Sequence, residues 1–200
     1  MLKVGITGGI GSGKTTICKI FEMLEVPIYY ADDRAKYLML NDKVLVGKIS
    51  NLLGSKAYTK AGELNRAYIS SIVFADQSML EKLNQIVHPA VRLDGENWFK
   101  AQATQPYALK EAALHFESGG YQLMDKMITV FAPADVRIER VMQRDNTTAE
   151  AVKARIDKQF PDSKKMELSD YVIYNDNRQS IIKQVMDVHF SLLEMAKIGK

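Results

Sequence analysis

Eight consecutive residues carry the strongest chemical pattern in the chain. Gly8-Gly9-Ile10-Gly11-Ser12-Gly13-Lys14-Thr15 reads G-x-x-x-x-G-K-T. Glycines at these spacings let backbone N–H groups converge on one concavity, a natural seat for phosphate oxygens. Lys14 adds a point charge suited to β- and γ-phosphates, and Thr15 a hydroxyl suited to Mg²⁺. The context supports this chemistry. Leu2-Lys3-Val4-Gly5-Ile6-Thr7 before the motif reads as a β-branched strand, and Ile17, Ile20, Phe21 and Leu24 after it follow helical spacing. A helix that starts at the loop adds its positive end to the anion site.

Carboxylates and arginines elsewhere could turn phosphate binding into phosphoryl transfer. Asp32 follows the apolar run Pro27-Ile28-Tyr29-Tyr30, a candidate second strand. A carboxylate there can take a proton from an attacking hydroxyl or sit near Mg²⁺; it can equally cap the helix that follows. Asp33 reads as a first-turn acid favoured by the helix dipole. Glu111 and Glu117 flank the end of a candidate strand, Tyr107 to Leu114. Glu111 suits the hydration shell of Mg²⁺ if that strand neighbours the first, and is otherwise an ordinary strand-end acid, with Lys110 as its solvent-exposed partner. Arg137, Arg140, Arg144 and Arg155 fall on two consecutive helical stretches, with Arg140 and Arg144 sharing one face and Arg155 and Gln159 another. Such a hairpin can close on phosphates as a lid, or present a solvated charged face. His88, before Pro89, reads as a capping or packing histidine, and Cys18 as a packing residue.

The elements that would position these residues alternate. Strands are expected at Leu2–Thr7, Pro27–Tyr30, Tyr107–Leu114, Met127–Ala132 and Tyr171–Tyr174. Between the second and third, the pattern is helical almost throughout. Helices are expected from 44 to 53, 64 to 74, 79 to 87 (halted at His88-Pro89) and 91 to 103. That is too much helix for one crossover and reads as a helical insertion. Later helices are expected over 135–144, from the capping-box string Thr147-Thr148-Ala149-Glu150 to Phe160, and over 180–197. The whole is an α/β fold with a five-stranded parallel sheet flanked by helices, its site at the carboxyl end of the first strand.

Bulk properties set bounds. Two hundred residues, 46% hydrophobic and 26% charged, suit one domain with a real core. A net charge of +3 does not call for nucleic acid, and suits a small anionic substrate. One cysteine excludes a disulfide within the chain. The first strand begins at the second residue, leaving no room for a signal peptide, and no apolar run is long enough to span a membrane. A cytoplasmic setting is expected.

The strings in order resemble one family, the dephospho-CoA kinases, over nearly the whole chain. Gly5 to Thr15 resembles that family's phosphate loop, and Ala31-Asp32 with Ala35-Lys36 its D-A-D-x-x-A-R segment. Leu64-Asn65-Arg66 resembles L-D-R; Val73-Phe74 with Leu83-Asn84-Gln85-Ile86-Val87-His88-Pro89 resembles V-F…L-N-x-I-x-H-P. Ala113 to Gly119 is similar to P-L-L-F-E-x-G, and Arg140, Arg144-Asp145, Arg155 and Gln159 to its lid pattern. Val172-Ile173-Tyr174-Asn175-Asp176 resembles its last strand. Departures are Tyr30 for the first acid, Lys36 for arginine, Asn65 for aspartate, Ala113 for proline and His115 for leucine.

The resemblance implies a P-loop kinase core (about 1–32, 104–136 and 168–200), a helical substrate-binding insertion (about 33–103) and a lid (about 137–167). It implies transfer of the ATP γ-phosphoryl to the ribose 3′-hydroxyl of dephospho-CoA, with Mg²⁺. Asp32, Lys14 and Arg140 would be catalytic. Gly9, Ile10, Gly11, Ser12, Gly13, Lys14, Thr15, Thr16 and Arg144 would bind phosphates, with Asn175 near adenine. Arg66, His88, Glu117 and Arg155 would hold the acceptor, and Thr15 and Glu111 the metal. A monomer is expected, with a homo-oligomer as the alternative. A kinase of a nucleoside or nucleoside monophosphate, or a nucleotide-dependent switch, would share the same loop.

Overall fold

The computed structural model describes residues 1–198; Gly199, Lys200 and the side chain of Phe74 lie outside the described residues, including the end of the expected 168–200 core stretch. The chain forms two compact units, one made of Met1–Tyr29 and the chain from Ala101 onward, the other of Tyr30–Lys100.

The first unit is built on strands β1 (Leu2–Thr7), β2 (Ile28–Tyr30), β3 (Tyr107–Glu111), β4 (Lys126–Phe131) and β5 (Tyr171–Tyr174). Their order is β2-β3-β1-β4-β5, and β1 runs parallel to both β3 and β4. The central strands are short apolar runs because both faces are covered. Val4, Ile6, Leu109, Ile128, Val130 and Ile173 are buried. One face receives α1 (Lys14–Met23) through Ile17, Cys18 and Phe21, and α9 (Ile181–Ile198) contributes Val185, Val188 and Leu192 to the core. Each such aliphatic side chain contributes roughly 1.5–3 kcal/mol on burial. Burial pushes the Cys18 thiol up to about 12, which makes it an inert packing residue.

The register aligns the strand ends that matter. Ile6 faces Glu111 across β1 and β3, and Thr7 faces Thr129 across β1 and β4. β3 stops at Glu111 rather than at Leu114. Its ladder closes with Ala112 N–H donating to the Ile6 carbonyl at 3.2 Å, and β1 ends one residue later. After β4 come α6 (Ala134–Asp145), α7 (Ala149–Ile156) and α8 (Asp162–Glu167). The cap of α7 is Thr148, whose hydroxyl accepts from Ala151 N–H at 3.4 Å. The expected run to Phe160 ends at Ile156, and Pro161 precedes α8 as its N-cap residue, without a side-chain cap bond.

The second unit is helical after Tyr30. It contains α2 (Ala31–Asn41), α3 (Lys43–Leu53), a 3₁₀ turn at Ser55–Ala57, α4 (Arg66–Ala75) and α5 (Gln77–Ala101). Leu38, Leu45, Ile49, Leu53, Ile69, Leu83 and Val87 form its core. Asp42 caps α3, accepting from Val44 and Leu45 N–H at 2.9 and 3.0 Å, and Asn65 caps α4 through Tyr68 N–H at 3.2 Å. The two helices expected on either side of His88-Pro89 are one. Pro89 lies inside α5 on an exposed face, where water can satisfy the carbonyl that proline leaves without a donor. The buried stripe Leu83, Val87, Gly95 and Phe99 continues through it. No described helix is long and apolar enough to cross a membrane.

Candidate active site

The phosphate loop joins β1 to α1 at the carboxyl edge of the sheet, beside the point where the chain switches from one side of β1 to the other. Gly13 ends the loop as the N-cap residue of α1, in the left-handed region at φ 90°, with no side-chain cap. A Cβ there would collide with the Asn175 amide. Glycine is therefore required on two counts; no side chain caps the first turn of α1, whose positive end suits an anion, and the Thr16 N–H donates to the Gly13 carbonyl at 3.0 Å.

Lys14 folds back over this loop. Its Nζ donates to the Gly8 carbonyl at 3.0 Å and stands 4.0 Å from Glu111 Oε1. The Lys110 ammonium lies over the Tyr29 ring, 5.5 Å from its centroid. Thr15 and Thr16 are exposed in the first turn of α1. Thr15 and Glu111 thus offer hard oxygen donors, one on α1 directly after the loop and one at the head of the neighbouring strand. That set suits Mg²⁺, which takes one or two protein oxygens and keeps its waters.

Residues after β4 and β5 brace the loop. Asn175 Nδ2 donates to the Ser12 carbonyl at 2.8 Å, so this amide is engaged by the loop itself. Arg140 Nη2 donates to the Asn175 carbonyl at 3.2 Å and to Asn177 Oδ1 at 2.9 Å. Its Nη1 is buried with no hydrogen-bond partner, 3.9 Å from where a Gly13 Cβ would stand. A guanidinium held this way beside the last loop glycine has a donor that an anion can take up. The Ser12 hydroxyl is also buried and unpartnered. Gln159 Oε1 accepts from Ile10 N–H at 2.9 Å, and Arg137 packs against Gly9.

Arg144 and Arg155 converge on Asp145. Arg144 Nε and Nη2 donate at 2.7 and 3.1 Å, and Arg155 Nη1 at 2.9 Å. These two arginines, Arg144 first, pull the Asp145 carboxyl down to about 2. Both arginines are exposed, so the pair can be released to a stronger anion.

Glu117 is engaged within the fold. Its Oε1 accepts from Phe160 N–H at 2.8 Å and pairs with the fully buried Lys165 Nζ at 3.0 Å. Oε2 is buried without a hydrogen-bond partner. Lys165 had no mark in the sequence, since Asp162-Ser163-Lys164-Lys165 reads as a polar surface string.

In the helical unit, Asp32 is the second residue of α2 and is exposed. It is not the cap. Tyr30 holds that position, without a side-chain cap bond. Asp33 sits beside it in the first turn and pairs with Lys36 at 2.7 Å. Two residues past Asp32, Arg34 forms a two-pronged bond to Asp94 of α5, at 2.9 and 2.7 Å. Arg66 opens α4 and is exposed. Desolvation holds the His88 imidazole below its usual value.

The dephospho-CoA kinase family model matches residues 2–180. A dephospho-CoA kinase of Bacteroides fragilis is 32% identical over 187 residues, covering 94% of this chain and 91% of that protein. One from Chlorobaculum tepidum is 36% identical over 203 residues, covering 98% and 97%. Among solved structures, the dephospho-CoA kinase of Campylobacter jejuni superposes with a TM-score of 0.71 at 26% identity, over 99% of this chain and 98% of that one. An Acinetobacter baumannii shikimate kinase, at 12% identity and a TM-score of 0.52 over 97% and 94% of the two chains, shares the fold alone. With a family match across nine-tenths of its length and relatives above 30% identity over nearly all of both chains, this chain belongs to the dephospho-CoA kinase family.

Proposed function

We propose that this chain transfers the γ-phosphoryl group of ATP to the ribose 3′-hydroxyl of dephospho-CoA, giving coenzyme A and ADP. The observation that carries the acceptor is the family match over residues 2–180. The donor is supported by the phosphate loop, with Lys14 between the Gly8 carbonyl and Glu111.

Gly9, Gly11 and Gly13 offer backbone N–H groups to the phosphates, Ile10 and Ser12 fix the loop's shape with their N–H groups on Gln159 Oε1 and the Gly9 carbonyl, and Thr16 contributes from the first turn of α1. Lys14 leaves the Gly8 carbonyl for the β- and γ-oxygens. Arg140, with one buried N–H group uncommitted, stabilises charge on the transferring group. Thr15 and, through water, Glu111 would hold Mg²⁺, which would supply positive charge to offset that of the ATP phosphates. Asp32 accepts the proton of the 3′-hydroxyl as that oxygen bonds to the γ-phosphorus. The bond to the β,γ-bridging oxygen breaks, and ADP leaves.

Arg66 and His88 belong to the acceptor side, and Arg155 joins them once Asp145 releases it. Arg144 moves from Asp145 to ATP phosphates. Residues 137–167 act as the lid and the helices from 33 to 103 as the acceptor-binding insertion. Glu117 serves first as the anchor of the lid's return through Lys165 and Phe160, and Asn175 as a brace of the loop on the adenine side. The protein works as a cytoplasmic monomer without nucleic acid or membrane.

The deciding experiment incubates the protein with ATP and Mg²⁺ and offers dephospho-CoA, AMP, CMP and adenosine separately, following ADP. ADP formed with dephospho-CoA alone is expected. ADP formed only with AMP, CMP or adenosine would sink the assignment, and so would ADP formed without any acceptor.

A further inference from the structure

The phosphate loop is held on one side by groups that the phosphoryl-transfer scheme leaves unused. Arg137, in the first turn of α6, is only 3% exposed. Its Nη2 donates to Asp162 Oδ2 at 2.7 Å. Its Nη1 fills the space a Gly9 side chain would need, so the guanidinium lies directly on the loop backbone. Its Nε is buried with no hydrogen-bond partner. Asp162 is the first residue of α8, and three residues earlier Gln159 accepts the Ile10 N–H at 2.9 Å. Neighbouring loop residues 9 and 10 are therefore braced from the single stretch 159–162, one through Arg137 and one directly.

A buried guanidinium with one orphaned N–H is costly to keep, and packing alone would be served better by an apolar side chain. Its charge is already matched by Asp162, so its field is not its main offering to ATP. What it supplies is shape. A planar fork can hold a carboxylate with one arm and lie flat on a glycine with the other, and a lysine ammonium cannot do both. We propose that Arg137 is a positioning residue for the phosphate loop, acting through Gly9, and that Asp162 and Gln159 couple the loop crest to the return segment 157–162. ATP then meets a loop whose conformation depends on the seating of that segment. This rests on the reading of the loop as the ATP site.

The test uses the full chain and two readouts, direct binding of a non-hydrolysable ATP analogue and steady-state kinetics with dephospho-CoA, alongside thermal unfolding. R137K is expected to weaken analogue binding and raise KM for ATP by roughly tenfold, the scale of one lost charged hydrogen bond. KM for dephospho-CoA is expected to stay within about twofold, since the acceptor does not use this bond. R137K with D162N is expected to bind no worse than R137K alone, because the pair acts as a unit. Q159M, which removes only the bond to Ile10, is expected to weaken analogue binding several-fold while Tm moves by about 2 °C or less. Wild-type analogue affinity in both R137K and Q159M would overturn the proposal, whatever happens to Tm. A wild-type protein that binds no analogue would overturn it too. One that binds the analogue but ignores dephospho-CoA would refute the acceptor assignment and leave the binding arms to decide this one.

Discussion

The Asn175 side-chain amide donates to the Ser12 carbonyl across 2.8 Å, fastening the end of β5 to the phosphate loop 163 residues earlier in the chain. The same amide stands where a Gly13 side chain would be, so the loop's last turn is shaped around it. Asn175→Ala should therefore loosen the loop without touching any group that meets phosphate. A neutral hydrogen bond is worth about 1 kcal/mol net, which predicts roughly a fivefold rise in KM for ATP. Asn175→Asp should do worse, since a carboxylate cannot donate to a carbonyl. Kinetics of the two variants in parallel check this, and equal behaviour of Ala and Asp would argue against it.

Asp32 lies two residues past the end of β2, as the second residue of a helix it does not cap. Its neighbour Asp33 is committed to Lys36, and Arg34 to Asp94. Asp32→Asn should lower kcat by roughly 10² or more, the scale of a lost general base, with ATP binding unchanged. An asparagine keeps the size and removes the proton acceptor, so Tm should stay put. Near-normal turnover would reduce Asp32 to a dipole residue of α2.

Sequence alone exposed the loop and the sheet, and physical reasons separate these from what stayed hidden. The loop is a local code: spacing, a β-branched strand before it and a helical stripe after it. The end of β3 is not local. Ala112 and Ala113 continue an apolar pattern, but β1 runs out of ladder, and Glu111 is where pairing stops. Pro89 misleads in the same way, because the rule that proline halts a helix yields to a stripe buried on the opposite face. The buried charges are the least legible. Lys165 lies in a polar string that reads as solvent-facing, and Arg137, between Val136 and Ile138, reads as one of a row of helix-surface arginines; only Asp162 and Glu117, distant in sequence, offset the cost of burying these charges.

The Lys165–Glu117 pair should act as one structural unit. Lys165 is fully buried and Glu117 nearly so. Lys165→Ala leaves a buried carboxylate unmatched, and the expected loss of unfolding free energy is about 3–5 kcal/mol. Lys165→Met combined with Glu117→Gln removes both charges at similar volume and should recover much of that loss. Urea unfolding of the single and double variants gives the comparison. A double variant as unstable as Lys165→Ala would show that packing, not charge pairing, holds this corner.

His115 predicts a pH dependence of stability with a definite sign. Its ring is buried after β3, with Nε2 bonded to the Lys110 carbonyl at 2.9 Å. Burial, the largest cause, lowers its pKa from 6.5 to about 4. The unfolded chain therefore takes up a proton near pH 6.5 that the folded chain refuses until about pH 4. Stability from this group is constant above the unfolded value, falls as pH drops through that window, and levels off below it. The loss across the window is about 3 kcal/mol. His88 and His189, whose pKa values burial also lowers, slope the same way, so the difference from a variant is the clean measure. His115→Leu removes the hydrogen bond between the ring and the Lys110 carbonyl, at about 1 kcal/mol at every pH. It should also remove most of the acid-side slope, so that the curves for variant and wild type converge or cross between pH 6 and 4. Parallel curves across that range would mean that His115 keeps the same protonation in the folded and unfolded chain.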